Sequence, residues 1–530
     1  MKKINIIFLA TLPFLFSLCK TAQPLTTDHS KTSDTMTVVI DSIVIPPPPD
    51  TVEIAAHPLP DSIKYVIRTG TFLGSEKRNY YGNKAPANLD VVWKLYLGEG
   101  QTRVGKTIKD WAGAGWTGQP LLVEENGQKY LIQGAYDHKL KKIAVDSPKI
   151  VWEYAFDDVI KGTGTIWENK NARFFKDRLL ILQGSRHGFN NDFYIDVIPS
   201  YRAISYFTGK ELWRLNSRLT KSYSRDVDAS ALIIKDTAYI GLENGVFTKF
   251  NPSPSRADTV DGIFQPEILS EHMLYESKDV VNHKRNVVTE ASPSRIGKKL
   301  YLASGSGHVY GYDMERDTLI WDFFIGSDID GSAIVTEDSC LLISVEKQYI
   351  QGKGGIYKLD PAKPPANAVV WYKPVEDKET AGWEGGVIGS VGINDATRPE
   401  GFSKLAAFAA IDGYLYVVKY NSFSRNLKGD IIKSKGPDGQ TFHPEPEEVF
   451  KVRIGTSIST PIFVGNKLIV AGYGGLFLFE YDARNNFKQL DKLNTYFEST
   501  PIAVDGKIYI ASRDGYLYCL GSPWAVGSRQ

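Results

Sequence analysis

The chain has 530 residues, of which 42 % are hydrophobic and 12 % aromatic, and its formal net charge is +1. This balance excludes a polycation that grips nucleic acid by charge alone. The sequence has no zinc-knuckle, phosphate-loop or HExxH spacing. The 47 glycines, together with many Tyr, Val and Ile residues, favour short strands and tight turns over helices.

The N-terminus has the pattern of an export signal over residues 1–19. Lys2 and Lys3 precede an apolar run, 4–18, that is too short for a stable membrane span. The run ends in a lipobox-like sequence, which predicts lipidation of Cys19. Ordinary cleavage near Ala22, giving a soluble periplasmic protein, is the alternative. Both predict a protein of the cell envelope, either an outer-membrane lipoprotein or a periplasmic protein.

Residues 20–65 are poor in aromatic residues and rich in Thr, Ser, Asp and Pro, and they include a proline run at 47–49. Such a composition predicts an extended, poorly ordered tether. A coil of about 45 residues reaches on the order of 35–40 Å. The predicted folded body is 66–521, and 522–530 is a short tail.

An approximate repeat of about fifty residues fills the folded body. The last copy, 499–520, shows it best, because Asp505-Gly506 and Asp514-Gly515 are hairpin signals between alternating hydrophobic strands. We place eight copies along the chain. Their inner strands are expected to start near these pairs: 119–120, 162–163, 229–230, 292–293, 331–332, 386–387, 460–461 and 500–501.

Eight four-stranded units of this kind predict an all-β fold, an eight-bladed antiparallel β-propeller. The last copy lacks an outer strand, and the strand at Val91–Tyr96 has no earlier partner in the sequence. We expect this strand to complete the last blade and to close the ring. Insertions at 190–200, 256–285 and 420–448 are expected to form surface loops.

Tryptophans fall into two groups. One group recurs at the same repeat position and is expected to dock neighbouring blades: Trp93, Trp152, Trp213, Trp321 and Trp371. The other group is out of register and flanked by glycine. Trp111, Trp116 and Trp383, with Glu384, are candidates for an exposed recognition surface. Simple loop packing is the alternative for this group.

The units at 203–213 and 499–518 resemble the repeat of the quinoprotein-type (PQQ-repeat) eight-bladed propellers. Members include PQQ-dependent alcohol dehydrogenases and the non-enzymatic propeller lipoprotein of the outer-membrane β-barrel assembly machinery. This sequence lacks the vicinal Cys pair of the dehydrogenases and any CxxCH haem site, and Ser205 stands where Asp usually opens the turn. With the lipobox, the resemblance implies the assembly-machinery type.

Acidic residues precede the expected inner strands of several units, where a propeller gathers them around one mouth of its channel. They are Asp226, Asp228, Glu290, Asp328 and Asp330. Converging carboxylates suit a hard cation such as Ca²⁺ or a basic peptide. In the alternative interpretation, these side chains cap backbone N–H groups at the strand starts or pair with Arg225 and its neighbours.

We therefore expect a monomeric, non-enzymatic envelope scaffold that is held to the membrane by its lipid anchor. Its partners would be other envelope proteins, with no role for nucleic acid. No cofactor is expected, and PQQ or Ca²⁺ belongs to the alternative of a quinoprotein dehydrogenase. A glycan- or peptide-binding module is a third interpretation. Cys340 and Cys519 are expected to be buried free thiols.

Overall fold

The computed structural model describes residues 63–378 and 383–522. The predicted export signal, Cys19 and most of the predicted tether lie outside the described residues, as does most of the C-terminal tail. Within the described residues the strands form eight main sheets, seven of four strands and one of five. They are arranged as an eight-bladed β-propeller, as the repeat predicts.

Within each blade the strands are given from the channel outwards. Blade 1 contains Leu121–Glu125, Gln128–Gly134, Lys139–Ala144 and Lys149–Ala155. Blade 2 contains Thr165–Glu168, Leu179–Gly184, Tyr201–Ser205 and Glu211–Leu215. Blade 3 contains Leu232–Ile234, Thr237–Gly241, Val246–Asn251 and Glu267–Met273. Blade 4 contains Ser294–Ile296, Lys299–Ser304, His308–Asp313 and Thr318–Phe324.

The second half of the ring follows the same plan. Blade 5 contains Ile334–Val335, Leu341–Val345, Gly355–Leu359 and Val369–Pro374. Blade 6 contains Gly392–Ile393, Leu405–Ala409, Tyr414–Phe423 and Pro446–Arg453. Blade 7 contains Ile462–Val464, Lys467–Gly472, Gly475–Tyr481 and Phe487–Leu493. Blade 8 contains Ile502–Val504, Lys507–Ala511 and Tyr516–Leu520, with Val91–Tyr96 outermost.

The ring is closed by the strand that has no earlier partner in sequence. Val91–Tyr96 pairs antiparallel with Tyr516–Leu520, with Trp93 opposite Cys519. The prediction for this strand is confirmed. Blade 6 differs from its prediction, because its inner strand begins at Gly392, several residues after the expected start at 386–387.

A belt of side-chain hydroxyls joins the blades where their inner strands begin. The backbone N–H of Ser230 donates to Ser292 Oγ, and that of Ser292 donates to Ser332 Oγ, both at 2.9 Å. In the same way, the N–H groups of Ser332, Ser390 and Thr460 each donate to the hydroxyl of the next blade. Blade 1 joins through the N–H of Gln119, which donates to Thr163 Oγ1 at 2.7 Å. The next blade thus satisfies the entry N–H in most blades, and between blades 2 and 3 Ser230 Oγ donates to Thr163 O instead. These contacts hold neighbouring blades in register.

The segment 65–83 plugs the channel from the opposite end. Its strand Tyr65–Thr69 pairs with Leu121–Glu125. The chain then crosses the ring and contacts blade after blade. Lys77 O accepts from the N–H of Val335 in blade 5, and Tyr81 O accepts from Ala503 in blade 8. Gly82 has φ +133°, and a Cβ there would lie 1.8 Å from Ala503 O, so only glycine fits this approach.

Insertions between the blade strands lie at the rim of the propeller. They contain the hairpins Glu99–Val104/Thr107–Ala112, Asp258–Val260/Ile263–Gln265 and Lys433–Lys435/Phe442–Pro444, and the helix Ser277–Asn282. The last hairpin packs along the outer strand of blade 5. No helix among the described residues is long and apolar enough to cross a membrane. Cys340 and Cys519 are buried and free, as expected.

Most of the recurring tryptophans reach the next blade. Trp152 donates its indole N–H to Tyr206 O, Trp213 to Pro252 O, Trp321 to Lys363 O and Trp371 to Tyr420 O, at 2.8–3.0 Å. Trp93 instead packs against Tyr509 inside blade 8. The Trp152 ring also lies against Gly209, whose φ of +67° places it in the turn before the Trp213 strand.

Arg78 anchors the plug and provides a test of its importance. The guanidinium is fully buried and donates to Pro293 O, Phe72 O and Thr71 Oγ1, each at 2.8 Å. Burial lowers the pKa of Arg78 to about 9. Arg78→Ala leaves several buried carbonyls without a donor, so we expect it to reduce the free energy of unfolding by about 3 kcal/mol or more.

This effect is measured by chemical denaturation, with intrinsic fluorescence as the signal that reports unfolding. Lys77→Ala is the matched control, because Lys77 is the exposed neighbour in the same segment. Its effect should stay within about 0.5 kcal/mol. Equal denaturation midpoints for the two variants would show that the plug does not stabilise the ring.

Candidate functional site at the channel mouth

The mouth opposite the plug is lined by one residue from each blade, two positions before the belt residue. In blades 2 to 5 and blade 8 this residue is charged, and in blades 6 and 7 it is isoleucine. In blade order from blade 1 the eight residues are Thr117, Lys161, Asp228, Glu290, Asp330, Ile388, Ile458 and Glu498. The mouth therefore has a charged half and an apolar half.

Three carboxylates converge in the charged half. Ligand oxygens of Asp228, Glu243 and Glu290 all lie within 4.8 Å of one another. Asp228 and Glu290 line the mouth directly, and Glu243 comes from the turn between the second and third strands of blade 3. Asp228 Oδ1 and Glu243 Oε1 are buried and have no hydrogen-bond partner among the described residues. Burying several ionised carboxylates together is costly unless a positive charge lies beside them.

Lys161 supplies that charge from within the chain. Its Nζ lies 2.5 Å from Asp228 Oδ2 and 3.9 Å from Glu243 Oε1. The Trp116 ring lies over the ammonium, 5.0 Å from Nζ to the ring centroid, and its indole N–H donates to Glu290 Oε2 at 2.8 Å. The side chain of Trp116 thus covers both the cation and one of its counter-ions.

Burial and like charge control the protonation of this cluster. Burial raises the pKa of Asp228 to about 7; Lys161 opposes this shift and Glu290 adds to it. The pKa of Glu243 lies well above its usual value, mainly because of burial. Burial alone would lower the pKa of Lys161, but Asp228 and Glu243 hold it well above its usual value. Lys161 therefore stays protonated, and the raised pKa values of Asp228 and Glu243 favour their protonated forms.

A second acidic group lies on the blade 5 side of the mouth. Asp328 accepts a hydrogen bond from Asn286 Nδ2 at 2.5 Å, while its Oδ1 is buried without a partner. Burial, with Glu290 nearby, raises the pKa of Asp328 to about 7. Burial and the charge of Asp328 raise the pKa values of Asp330 and Glu346 well above their usual range. No residue of the described part forms an ion pair with Asp328 or Glu346.

Asp226 belongs to a different network. It accepts from Arg186 Nε at 2.8 Å and from the backbone N–H of His187 at 2.9 Å. Burial would raise its pKa, but Arg186 and His187 hold the pKa well below the usual range. Arg225 makes no ion pair with these acids among the described residues, since its guanidinium donates to carbonyls such as Ser217 O and Phe193 O.

The tryptophans outside the repeat register divide between two places. Trp116 and Trp383 meet over the apolar half of the mouth, with ring centroids 6.1 Å apart, and pack on Ile388 and Ile458. Glu384 follows as an exposed residue. Trp111 lies elsewhere on the rim. It packs against Tyr136 at 5.0 Å, with the Arg513 guanidinium 5.4 Å from its ring.

Between the plug and Trp116 the channel is almost filled. Phe72 of the plug forms its floor, and the cavity that remains at Asp228, Glu290 and Asp330 measures about 20 Å³. This is room for about one water molecule.

Comparison with solved structures finds the same architecture at low sequence identity. Quinohemoprotein alcohol dehydrogenase from Comamonas testosteroni is 13 % identical with a TM-score of 0.50, covering 88 % of this chain and 82 % of that one. A europium-containing methanol dehydrogenase is 12 % identical with a TM-score of 0.51, covering 83 % and 89 %. The chain has the fold of the PQQ-repeat eight-bladed propellers.

BamB from Moraxella catarrhalis also matches, with 12 % identity and a TM-score of 0.49, covering 82 % of this chain and 100 % of that one. At these identities the likeness concerns the fold alone. No protein-family model and no curated protein sequence matches the chain.

The mouth does not fit PQQ as its side chains are placed. A cofactor-sized ligand needs a pocket of hundreds of Å³, whereas the cavity measures about 20 Å³. A divalent cation suits the donors better, because Ca²⁺ takes several carboxylate oxygens. Such an ion would compete with Lys161 for Asp228 and Glu243.

The raised pKa of Asp328 predicts a pH-dependent stability. Because the folded chain binds this proton more tightly than the unfolded chain, the contribution of Asp328 to the free energy of unfolding falls as pH rises from about 4 to about 7. Asp328→Asn removes the charge that must be buried at high pH. We expect it to stabilise the protein more at pH 8 than at pH 5, by about 2 kcal/mol.

Urea titrations at both pH values measure the difference. Asp236→Asn is the control, since Asp236 is an exposed turn residue of blade 3. Its effect should be small and the same at pH 5 and pH 8. A pH-independent effect of Asp328→Asn would mean that the Asp328 carboxyl is not protonated in the folded protein.

Proposed function

We propose that the chain is a non-enzymatic scaffold of the cell envelope that presents the mouth face of its propeller to other envelope proteins. The observation that carries this proposal is the filled channel. Phe72, Lys161 and Trp116 occupy the centre from below, from the side and from above, and they leave space for about one water. The channel itself therefore offers no pocket of ligand size, and the groups around its mouth lie on the face.

The chemistry of this face indicates its partner. Trp116 and Trp383 form an aromatic patch, and paired tryptophans are typical of the energetic centres of protein interfaces. Carboxylates line the other half of the mouth, and Glu384 is exposed beside the patch. A partner segment with an apolar side chain next to Lys or Arg complements this surface.

The position of the N-terminal strand supports the same face. Tyr65 pairs with Glu125, at the end of the inner strand of blade 1, whereas the mouth lies at the start of the inner strands. The chain therefore enters the described body on the plug side. The N-terminal strand of the described body therefore leaves the mouth face uncovered.

The proposal is tested by comparing the partners that the wild type and site-directed variants capture. Full-length tagged protein is cross-linked in the envelope of its native cell, and the co-purified proteins are identified. We expect a specific partner that is lost with the double variant Trp383→Ala/Glu384→Lys. Glu315→Lys is the matched charge control, because Glu315 is 64 % exposed on the plug side, and it should retain the partner.

Two results would overturn the scaffold proposal. One is a captured set that is the same for the mouth variant, the control and the wild type. The other is a rise in the unfolding temperature of the wild type that needs PQQ together with Ca²⁺ and does not occur with Ca²⁺ alone. The second result would favour a quinone enzyme.

The carboxylate cluster favours a second candidate function, binding of Ca²⁺ in the charged half of the mouth. Oxygens of Asp228, Glu243 and Glu290 within 4.8 Å of one another are close enough to share one ion. Lys161 is the internal competitor for that position.

Removal of the competitor should therefore strengthen the binding of Ca²⁺. We expect Lys161→Met to lower the calorimetric dissociation constant at least tenfold, since the freed carboxylates then need an external cation. Glu243→Gln added to Lys161→Met should reverse the gain. If calcium titrated to millimolar concentration binds neither the wild type nor Lys161→Met, the calcium proposal is rejected.

A further inference from the structure

A cleft on the rim of the mouth face lies away from the channel. Its walls come from four segments: the end of the outer strand of blade 4, the loop 346–354 of blade 5, the end of the helix Ser277–Asn282 and the tip of the blade 6 hairpin. Phe324, Tyr349, Asn282, Gln351 and Gln440 line it, and its volume is about 350 Å³. This is the lower end of the range for sites that bind small molecules.

Two exposed aromatic rings line the cleft. Tyr349 is 40 % exposed and Phe324 55 % exposed. The Tyr349 ring stacks on the buried His283, with centroids 4.5 Å apart and planes 21° from parallel. Tyr349 has φ +61°, a conformation that a bulky side chain rarely adopts. The loop thus holds a large ring in a costly conformation with one face towards solvent, which is more frequent at binding sites than elsewhere.

The polar groups of the cleft are almost all uncharged. The side-chain amides of Asn282, Gln351 and Gln440 have no partner among the described residues. Burial lowers the pKa of His283, and its Nδ1 contacts Gly305 O at 2.6 Å, so the ring is neutral at physiological pH and donates through Nδ1.

Asp438 is the one charged residue among the described residues that line the cleft, and its carboxylate already has partners. Its carboxylate accepts from Thr441 Oγ1 at 2.5 Å and from the backbone N–H of Gln440 at 2.9 Å. Asp438 therefore holds the hairpin tip in shape. Among the residues that the structure describes, no Lys or Arg lines the cleft.

These groups select a ligand with an apolar face, many hydroxyls and no charge. A sugar ring meets all three requirements. Its C–H face packs on an aromatic ring, and its hydroxyls both donate to and accept from amide side chains. We propose that this cleft binds a neutral glycan, with Tyr349 as the stacking platform and Gln351 and Gln440 as hydrogen-bonding groups. One or two sugar units match the volume of the cleft.

Calorimetric titration of the full-length protein with neutral trisaccharides tests the site. The probes are maltotriose, chitotriose and xylotriose, each up to 20 mM, which covers dissociation constants of about 1 mM. We expect one of them to bind, Tyr349→Ala to weaken it at least tenfold and Tyr349→Phe to preserve it. Tyr194→Ala is the control, since Tyr194 is 65 % exposed in a loop of blade 2, and it should bind like the wild type.

Three results would overturn the proposal. The first is that none of the trisaccharides binds the wild type. The second is that a trisaccharide binds equally well to Tyr349→Ala, which would place the sugar elsewhere. The third is that the blocked peptide acetyl-Ala-Ala-Ala-amide binds with higher affinity than every trisaccharide and depends on Tyr349, which would make the cleft a peptide site. Thermal unfolding of each variant shows that the fold is intact.

Discussion

The hydroxyl belt around the channel is the contact on which the rest of the propeller depends. In six of the eight blades, the backbone N–H at the entry to the inner strand donates to the Ser or Thr hydroxyl of the next blade. An unpaired N–H of this kind is costly when buried. The belt therefore imposes a small hydroxyl residue at one position of most repeats. It also fixes where the chain enters every blade.

This register determines the chemistry of the mouth. The residue two positions before the belt faces the channel in each blade, so eight side chains meet at one place. The belt hydrogen bonds do not involve these eight side chains, so they do not restrict which residues occupy the positions. In this chain Lys161 and Asp228 form an ion pair there, and Ile388 and Ile458 make an apolar floor for Trp116 and Trp383. A catalytic centre, a cation site or a protein-binding face can be built on the same frame by changing these residues alone.

The repeat predicted the number of blades and their strands, and the unpaired strand at Val91–Tyr96 predicted how the ring closes. Those features follow from local patterns. The plug could not be predicted, because 70–83 has no periodicity and is held by contacts with residues hundreds of positions away. Arg78, for example, donates to Pro293 O. Lys161 could have been found from the sequence, because alignment of the belt residues Thr163 and Ser230 places it at the position that Asp228 occupies in the neighbouring blade.

The acids were expected to cap the strand starts or to gather at the mouth, and the hydroxyls carry out the capping. The carboxylates are therefore not needed for the register of the strands, and their burial costs stability above about pH 7. A fold retains such groups where they serve something other than stability. Their position agrees with this, since the plug closes one end of the channel, and both the mouth and the glycan cleft lie on the other. The mouth and the cleft thus share the face of the described body that lies away from its N-terminal strand.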